Sequence, residues 1–239
     1  IFQPGEEGFA GGEKMIQDGM FDDFKIDEVY ALHNWPELPL GTFGVNSGPM
    51  MAAVDEFDIT VKGKGGHAAS PHLAIDPVVI SAQVISAVQT IISRSTDPVD
   101  KALISITKIN AGTAYNVIDD QVKMGGTIRT FRRETRAYIE KRLNELCKGI
   151  ADAHGAEIKI EFDLVNKYPP TINSKEETKF AANVAKDLVG DDKVITDIDP
   201  SMGGEDFSYL LEKKPGSYLY LGQGDAEHSA HLHTTKYDF

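Results

Sequence analysis

The sequence has little of three things: cysteine, basic charge and long apolar runs. Its one cysteine, Cys147, cannot form an internal disulfide, so we expect a reducing compartment, the cytoplasm. Lys and Arg number 24 against 37 Asp and Glu, a formal net charge of −13. Such a balance is poorly suited to nucleic acids or anionic membranes, so we expect neither partner. No stretch approaches the roughly 18 apolar residues of a membrane span.

What remains is an ordinary globular composition. Hydrophobic residues make up 41% and charged residues 26% of the chain, which excludes a disordered or fibrous class. The sequence opens on IFQP and stops at YDF, and both ends read like interior sequence. This pattern predicts a piece of a longer polypeptide.

Three zones together predict an α/β fold. Helix and strand patterns alternate in residues 1–50 and again in 168–239. Residues 51–167 carry the order βαββαβ, which is the ferredoxin-like or split-βαβ arrangement. We expect this middle zone to be an independent module inserted between the two outer zones.

In the outer zones, local signals predict several element boundaries. A strand over 28–32 is expected to end at His33. Ser174 is the expected N-cap of a helix, with Glu177 completing a capping box before the apolar residues Phe180, Val184 and Leu188. A short helix is expected over 203–211.

In the middle zone, hydrophobic spacing predicts which faces are buried. Residues 55–62 alternate as a strand, with Phe57, Ile59 and Val61 on one side. A helix over 76–93, with Pro77 in its first turn, is expected to bury Val78, Ala82, Ile85, Val88 and Ile92. A second helix over 134–154 is expected to bury Ile139, Leu143, Leu146 and Ile150 and to end at Gly155.

Glu6 and Glu7 form an adjacent acidic pair in a turn flanked by Gly5 and Gly8. An isolated pair of this kind is usually only a solvated surface feature. Here it follows an apolar strand pattern, and the carboxyl ends of strands are where α/β sheets expose catalytic groups. One carboxylate could bind a metal while its neighbour stays free as a general base.

Two histidines are candidate metal ligands. His33 follows an apolar run, and His233 lies near the end of the sequence. Each has an ordinary structural alternative, since a lone histidine after an apolar run is more often simply hydrogen-bonded. Two histidines and a carboxylate on different loops would suit zinc, manganese or cobalt.

Four further residues stand in polar or glycine-rich contexts. His67 lies in GGHAASPH, where the alternative is a tight turn with an incidental histidine. Asn116 lies in a connection between strands. Arg129 lies inside a strand and needs an anionic partner, for which a substrate carboxylate and an internal acid are equally good interpretations. Glu205, in GGEDF, either caps a helix start or lies near the site.

Six motifs, taken together and in order, resemble the metal-dependent aminoacylase and carboxypeptidase family. The similarity is to its amidohydrolase branch of hippurate hydrolases, N-acyl-amino-acid amidohydrolases and auxin-conjugate hydrolases. The resemblance covers the whole chain, but a Cys-Gly-His-Asp-Gly-His stretch that normally lies upstream in this branch is absent. The motifs are IFQPGEEG, LHNWP, GGHAASPH, YNVI, MGGEDF, and LH followed by YDF.

The resemblance implies a mixed-sheet, metallopeptidase-like catalytic domain without its N-terminal part, carrying an inserted ferredoxin-like lid and dimerisation domain. It implies hydrolysis of N-acyl amino acids, two divalent metal ions (zinc, manganese, cobalt or nickel) and a homodimer. The implied roles are general base for Glu6, carbonyl polarisation or oxyanion stabilisation for His67, metal ligation for Glu7, His33 and His233, and substrate binding for Asn116, Arg129 and Glu205.

Two alternatives to this function stay open at the level of sequence. One is a catalytically inactive remnant that acts only as a dimerising module. The other is a related dipeptidase or carbamoyl-amino-acid hydrolase that shares the same site. Assays of acyl, peptidyl and carbamoyl substrates side by side would separate the second alternative from the leading hypothesis.

Overall fold

The computed structural model describes residues 2–225 and 230–238, and of residues 163–166 it describes the backbone only. The chain divides into a first unit, Ile1–Ala52 with Tyr168–Phe239, and a second unit, Ala53–Lys167. The helices are α1 Glu6–Phe9, α2 Gly11–Gln17, α3 Met20–Asp23, α4 Pro77–Thr90, α5 Arg133–His154, α6 Lys175–Val189 and α7 Ser208–Leu211. The strands are β1 Val29–Pro39, β2 Phe43–Gly44, β3 Gly48–Met51, β4 Ala53–Lys62, β5 Gly66–His67, β6 Ala102–Asn110, β7 Val117–Ile118, β8 Gln121–Thr130, β9 Glu157–Tyr168, β10 Thr171–Asn173, β11 Val194–Ile195 and β12 Gly216–Gly224.

The first unit is built on a mixed sheet with strand order β1-β12-β2-β11. Strand β1 runs parallel to β12, and β2 pairs antiparallel with β12 and parallel with β11. Because alternate side chains of a strand point to opposite faces, Tyr218 and Tyr220 of β12 pack on one face and Leu219 on the other. Strand β12 is therefore buried from both sides, with α6 residues Ala182 and Ala185 packed beside Leu219.

Strand β1 is longer than the sequence pattern indicates. It continues to Pro39, so the prediction that the strand ends at His33 is wrong. The parallel ladder with β12 carries on past His33, which pairs with Tyr220. The Trp35 ring also stacks on Tyr220, with 3.8 Å between ring centroids, and this contact keeps the extended chain against the sheet.

Helix α6 begins where expected, and its buried face consists of small residues. Ser174 is its N-cap residue, yet its hydroxyl accepts from the backbone N–H of Gly216 at 3.2 Å, so the predicted capping box is wrong. The apolar residues Phe180, Val184 and Leu188 are exposed. The buried face consists of small residues that allow close approach to the sheet: Thr178, Ala182 and Ala185.

Helix α7 is shorter than expected, because residues 203–207 are irregular. The Glu205 carboxylate accepts the backbone N–H of Phe207 at 2.9 Å, which takes up an amide at the point where the longer helix was predicted. Glu205 and Asp206 are consequently buried just before the helix and do not lie on its exposed first turn.

The second unit has a four-stranded sheet with order β6-β8-β4-β9. Strand β8 pairs antiparallel with β4 and with β6, and the large strands and helices follow one another as βαββαβ. As predicted, β4 buries Phe57, Ile59 and Val61. These residues form one core with residues of α4 and α5.

The two helices of this unit differ in how well their buried faces could be predicted. On α4 the fully buried apolar residues include Ile80, Val84 and Val88. The prediction is confirmed at Val88, and Ile85 and Ile92 are partly buried against the same core. It is wrong at Val78, which is 45% exposed, and at Ala82, which is also exposed. On α5 the prediction of Ile139 and Leu143 is confirmed, and Gly155 ends the helix in a left-handed conformation. Cys147 is also buried there, and this burial raises the pKa of its thiol to about 11.

One helical segment is relevant to membranes by length and composition. Pro77–Ser95, which is α4 with the turn after it, spans 19 residues and is apolar enough to cross a bilayer. The expectation that the chain has no such stretch is therefore wrong. Ile80, Val84, Val88 and Ile91 of this segment pack in the core of the second unit, although only 28% of the segment is buried, and one such helix is weak evidence for a membrane span.

Candidate functional site

The acidic pair lies in a sharply turned segment at the start of the first unit. Gly5 and Gly8 adopt φ values of 62° and 82°, a left-handed conformation that glycine tolerates. Between them, Glu7 departs from helical geometry with φ −65° and ψ 78°. The turn leaves Glu6 half-buried and Glu7 exposed, so two adjacent carboxylates have different surroundings.

These surroundings change the acidity of Glu6. Burial, followed by the nearby charges of Glu205, Glu7 and Asp206, raises the pKa of Glu6 to about 7. A carboxyl group with a pKa near the working pH is suited to accepting and returning a proton. Sequence reasoning expected a general base at Glu6, and that role stays a prediction, with which a pKa near 7 is consistent.

Glu7 and His233 lie in contact. Their Oε1 and Nδ1 atoms are 3.3 Å apart, although both side chains are about three-quarters exposed. His233 has a positive φ of 61°, which is uncommon for a residue other than glycine. A carboxylate and an imidazole are both ligands that zinc and manganese accept, so the pair fits a metal site in kind.

His33 is prepared for ligation by its own hydrogen bond. Its Nδ1 lies 2.7 Å from the carbonyl oxygen of Asn34, and because a carbonyl only accepts, Nδ1 carries the proton. The lone pair is then on Nε2, the arrangement that metal-binding histidines use. Within residues 2–225 and 230–238, however, no group of three His, Cys, Asp or Glu side chains comes close enough to hold an ion. The structure thus joins Glu7 to His233 but does not add His33 to them.

Glu205 is a buried acid with three partners. Its Oε2 accepts from the Tyr218 hydroxyl at 2.7 Å, and its Oε1 accepts from the Phe207 backbone N–H. The side-chain amide of Gln3 lies 3.4 Å from Oε1. Burial, followed by the charge and hydrogen bond of Glu205, raises the pKa of the Tyr218 hydroxyl, so that hydroxyl remains a donor.

Asp206 is fully buried beside Glu205. It accepts from the backbone N–H of Gly12 at 2.7 Å and from the side-chain amide of Gln3. Burial raises the pKa of Asp206 to about 6, with the Gly12 hydrogen bond opposing the shift and the charge of Glu205 adding to it. These contacts connect residues on both sides of the acidic pair, Gln3 and Gly12, to the GGEDF motif.

Three of the predicted site residues line one cavity of the first unit. The cavity has a volume of about 620 Å³, and Glu6, His33 and Glu205 contribute to its wall. The rest of the wall combines apolar side chains with Gln3, Glu28 and two tyrosines, so apolar and polar groups of a ligand both find matching surface. Its apolar residues include Met15, Met20, Ile26, Val29, Phe207 and Leu210.

In the second unit, the structure brings His67 and Asn116 together. The two-residue strands β5 and β7 pair His67 with Val117, and the Asn116 carbonyl accepts from the backbone N–H of Ala68 at 3.0 Å. The Nδ1 atom of His67 accepts from the backbone N–H of Ala69 at 3.1 Å. Since Nδ1 is the acceptor, the neutral ring carries its proton on Nε2 and can donate it to a ligand.

Arg129 lies half-buried in β8. Its Nε donates to the Thr127 hydroxyl at 3.1 Å. Burial lowers the pKa of its guanidinium, and the charges of Glu56 and Asp55 oppose that shift. The Asp55 carboxylate forms its salt bridge with Arg136. Asp55 is thus paired with Arg136, while Glu56 remains a nearby acid whose charge acts on Arg129, so both interpretations of the Arg129 partner stay open.

Sequence reasoning missed several residues that support the site. Gln3 and Asp206 hold the ends of the acidic segment, and Tyr168 bonds to its middle. Asp206 carried a usable signal, because it stands beside Glu205 in GGEDF. Tyr168 carried none, since its partners lie far away in the sequence. Ile1, His228 and Phe239, which belong to the motifs or lie near His233, are outside the described residues.

The chain is 42% identical over 97% of its length to N-acetyldiaminopimelate deacetylase of Lactobacillus helveticus (strain DPC 4571), of which it covers 61%. It is 39% identical over 100% of its length to hippurate hydrolase of Campylobacter jejuni, and again covers 61% of that relative. Among solved structures, the Bacillus subtilis YXEP protein, a dinuclear metal-binding peptidase from the M20 family, matches with 34% identity and a TM-score of 0.79. That match covers 98% of this chain and 57% of the YXEP chain.

The chain spans about 61% of the length of each of the two curated relatives. The sequence model of Peptidase family M20/M25/M40 matches residues 1–239, which include every predicted site residue of both units. The chain therefore belongs to Peptidase family M20/M25/M40.

Proposed function

We propose that this chain takes part in metal-dependent hydrolysis of the amide bond of N-acyl amino acids. The observation that carries the proposal is the half-buried Glu6 carboxyl, with its pKa raised to about 7, next to Glu7 in contact with His233. The names of the two curated relatives describe removal of an acyl group from an amino acid. This supports the same class of substrate for the present chain.

Divalent metal ions are part of the proposal. Glu7, His33 and His233 would hold them, and a carboxylate with two imidazoles suits zinc, manganese, cobalt or nickel. Bound ions supply Lewis acidity, which makes water a usable nucleophile near neutral pH. Two ions need more donors than these three side chains provide, so we propose that further ligands complete the site in the whole protein.

The side chains of the chain have separate tasks in the proposed reaction. Glu6 takes a proton from the attacking water and delivers it to the nitrogen of the leaving amine. The water oxygen bonds to the carbonyl carbon as the C–N bond breaks, which leaves a carboxylate and an amine. His67, through its Nε2–H, donates a hydrogen bond to the carbonyl oxygen as negative charge develops there.

Substrate recognition is assigned mainly to the second unit. Arg129 presents a planar guanidinium that matches a carboxylate with two parallel hydrogen bonds, and Asn116 adds an amide donor close to His67. Glu205 is proposed to shape the cavity of the first unit. We propose that the second unit acts as a lid and as the dimerisation domain of a homodimer, which its βαββαβ order supports by resemblance.

The experiment is a metal and substrate survey of the purified whole protein, because the proposed site needs the further ligands. Gel filtration followed by elemental analysis gives ions per chain, and hydrolysis is assayed with hippurate, an N-acetyl amino acid, an N-carbamoyl amino acid and a dipeptide. We expect bound divalent metal and preference for the acyl substrates. Preference for the carbamoyl compound or the dipeptide would change the substrate class. Near-zero metal with no turnover would contradict the proposal, and a dimer under those conditions would favour a dimerising module.

A further inference from the structure

The segment that carries Glu6 and Glu7 is short, and its backbone is not regular. Helical geometry breaks at Glu7 and Gly8, which separates the carbonyl of Glu6 from the amide of Gly8. Each of these backbone groups needs a hydrogen-bond partner. The conformation of the turn, and with it the direction of both carboxylates, depends on what that partner is.

A single hydroxyl serves both groups. Tyr168 donates its hydroxyl proton to the carbonyl oxygen of Glu6, and the Tyr168 hydroxyl oxygen accepts the backbone N–H of Gly8 at 3.0 Å. The two bonds lie on either side of Glu7. Tyr168 comes from the end of β9, more than 150 positions away in the sequence, and belongs to the same unit as the acidic segment.

The hydroxyl is held in place by the surroundings of its ring. Tyr168 is only 6% exposed, and its ring makes an edge-on contact with Tyr209, with 6.3 Å between centroids. A buried ring between fixed neighbours has little rotamer freedom. The oxygen is therefore a rigid point to which the turn is attached.

We propose that Tyr168 is a positioning residue, which sets the directions of the Glu6 and Glu7 carboxylates by binding the backbone on both sides of Glu7. The inference rests on the proposed function for its effect on catalysis. The hydrogen bonds of Tyr168 are independent of the proposed function. Loss of the hydroxyl leaves the ring in place but releases two backbone groups, so the turn samples other conformations. Proton transfer by Glu6 then slows, while substrate binding through the second unit is retained.

The test compares Tyr168→Phe with Tyr138→Phe, which removes the hydroxyl of a tyrosine 38% exposed on α5. Protein labelled with ¹⁵N-glycine reports the hydrogen exchange of the Gly8 amide. Zinc titration by calorimetry reports metal affinity, and kcat and KM are measured on hippurate. For Tyr168→Phe we expect the Gly8 amide to exchange roughly tenfold faster and kcat to fall roughly tenfold. KM should be nearly unchanged. Tyr138→Phe should match the unaltered chain in every measurement.

The readouts separate this inference from the proposed function. Unchanged exchange at Gly8 in a folded Tyr168→Phe protein would overturn the positioning role, as would an unchanged kcat in an active enzyme. If the unaltered chain hydrolyses no acyl amino acid, the proposed function fails, while exchange at Gly8 still decides the role of Tyr168. If Tyr168→Phe does not fold, the role of Tyr168 is tested in the unaltered protein. A nuclear Overhauser contact between the Tyr168 ring and the Gly8 amide supports the positioning role, and the absence of that contact overturns it.

Discussion

The Oε1 atom of Glu7 lies 3.3 Å from the Nδ1 atom of His233, so two candidate metal ligands from opposite ends of the sequence meet in the folded chain. Their contact places one ligand pair immediately after Glu6, the candidate general base. Adjacent carboxylates can thus differ in task because Glu7 is exposed and in contact with the His233 imidazole, whereas Glu6 has a partly buried, acid-lined environment.

The first prediction separates these two tasks. Glu6→Gln keeps the shape of the side chain but cannot accept a proton, so turnover should fall by roughly 100- to 10,000-fold with metal content unchanged. Elemental analysis and a hydrolysis assay check both parts. Glu13→Gln, in the first turn of α2, is the matched control. Loss of metal in Glu6→Gln would mean that the roles of Glu6 and Glu7 are reversed.

The second prediction concerns His67 as a hydrogen-bond donor. His67→Ala should lower kcat by roughly 100- to 1000-fold, as expected when one oxyanion donor is lost. His72→Ala, an exposed histidine in the following turn, should have little effect. If His67 acts in a neighbouring subunit of a dimer, mixing Glu6→Gln with His67→Ala chains should restore part of the activity. No recovery would argue against a shared site.

The third prediction tests Arg129 as a carboxylate clamp. Arg129→Ala should raise KM for carboxylate substrates by roughly 10- to 100-fold, the value of a charge-assisted hydrogen bond. KM for the corresponding amide substrates should change far less. Arg94→Ala, at an exposed position of the same unit, serves as control. Equal effects on acid and amide substrates would refute the clamp.

The fourth prediction uses the acidity of Asp206. Because burial raises its pKa to about 6, the folded chain holds a proton that the unfolded chain, with a pKa near 3.8, has already released. The free energy of unfolding should therefore fall as pH rises from 4 to 6, by roughly 2 kcal/mol from this group, and then level off. Asp206→Asn should lack this component in denaturant titrations, whereas exposed Asp187→Asn should retain it. A constant difference between Asp206→Asn and the unaltered chain from pH 4 to pH 7 would contradict the assignment.

The fifth prediction checks the buried face of α4. Ile80→Ala should lower the free energy of unfolding by roughly 2 to 5 kcal/mol, because Ile80 is 2% exposed within the core of the second unit. Val78→Ala should stay within about 0.5 kcal/mol, as is usual for exposed positions. Chemical denaturation measures both changes. A larger loss of unfolding free energy for Val78→Ala than for Ile80→Ala would mean that Val78 lies on the buried face, as hydrophobic spacing predicted.

The sequence by itself determined the elements that depend on neighbours along the chain. Alternation over 55–62 identified β4 and its buried residues, and the left-handed Gly155 marked the end of α5. Motif order identified the family and the chemical groups of its site. These features are local, because periodicity and turn preference act over a few residues.

Only the tertiary structure decided which surroundings those groups receive. On α4 the structure buries Ile80 and Val84, where hydrophobic spacing predicted Val78 and Ala82, because the sheet beneath the helix selects a face that apolar spacing leaves ambiguous. The pKa of Glu6 is raised first by burial and then by nearby charges, and two of these, Glu205 and Asp206, are distant in sequence and reach it only after folding. The bonds of Tyr168 to Glu6 and Gly8 arise in the same way, since hydrogen bonds between distant segments leave no periodic pattern in the chain.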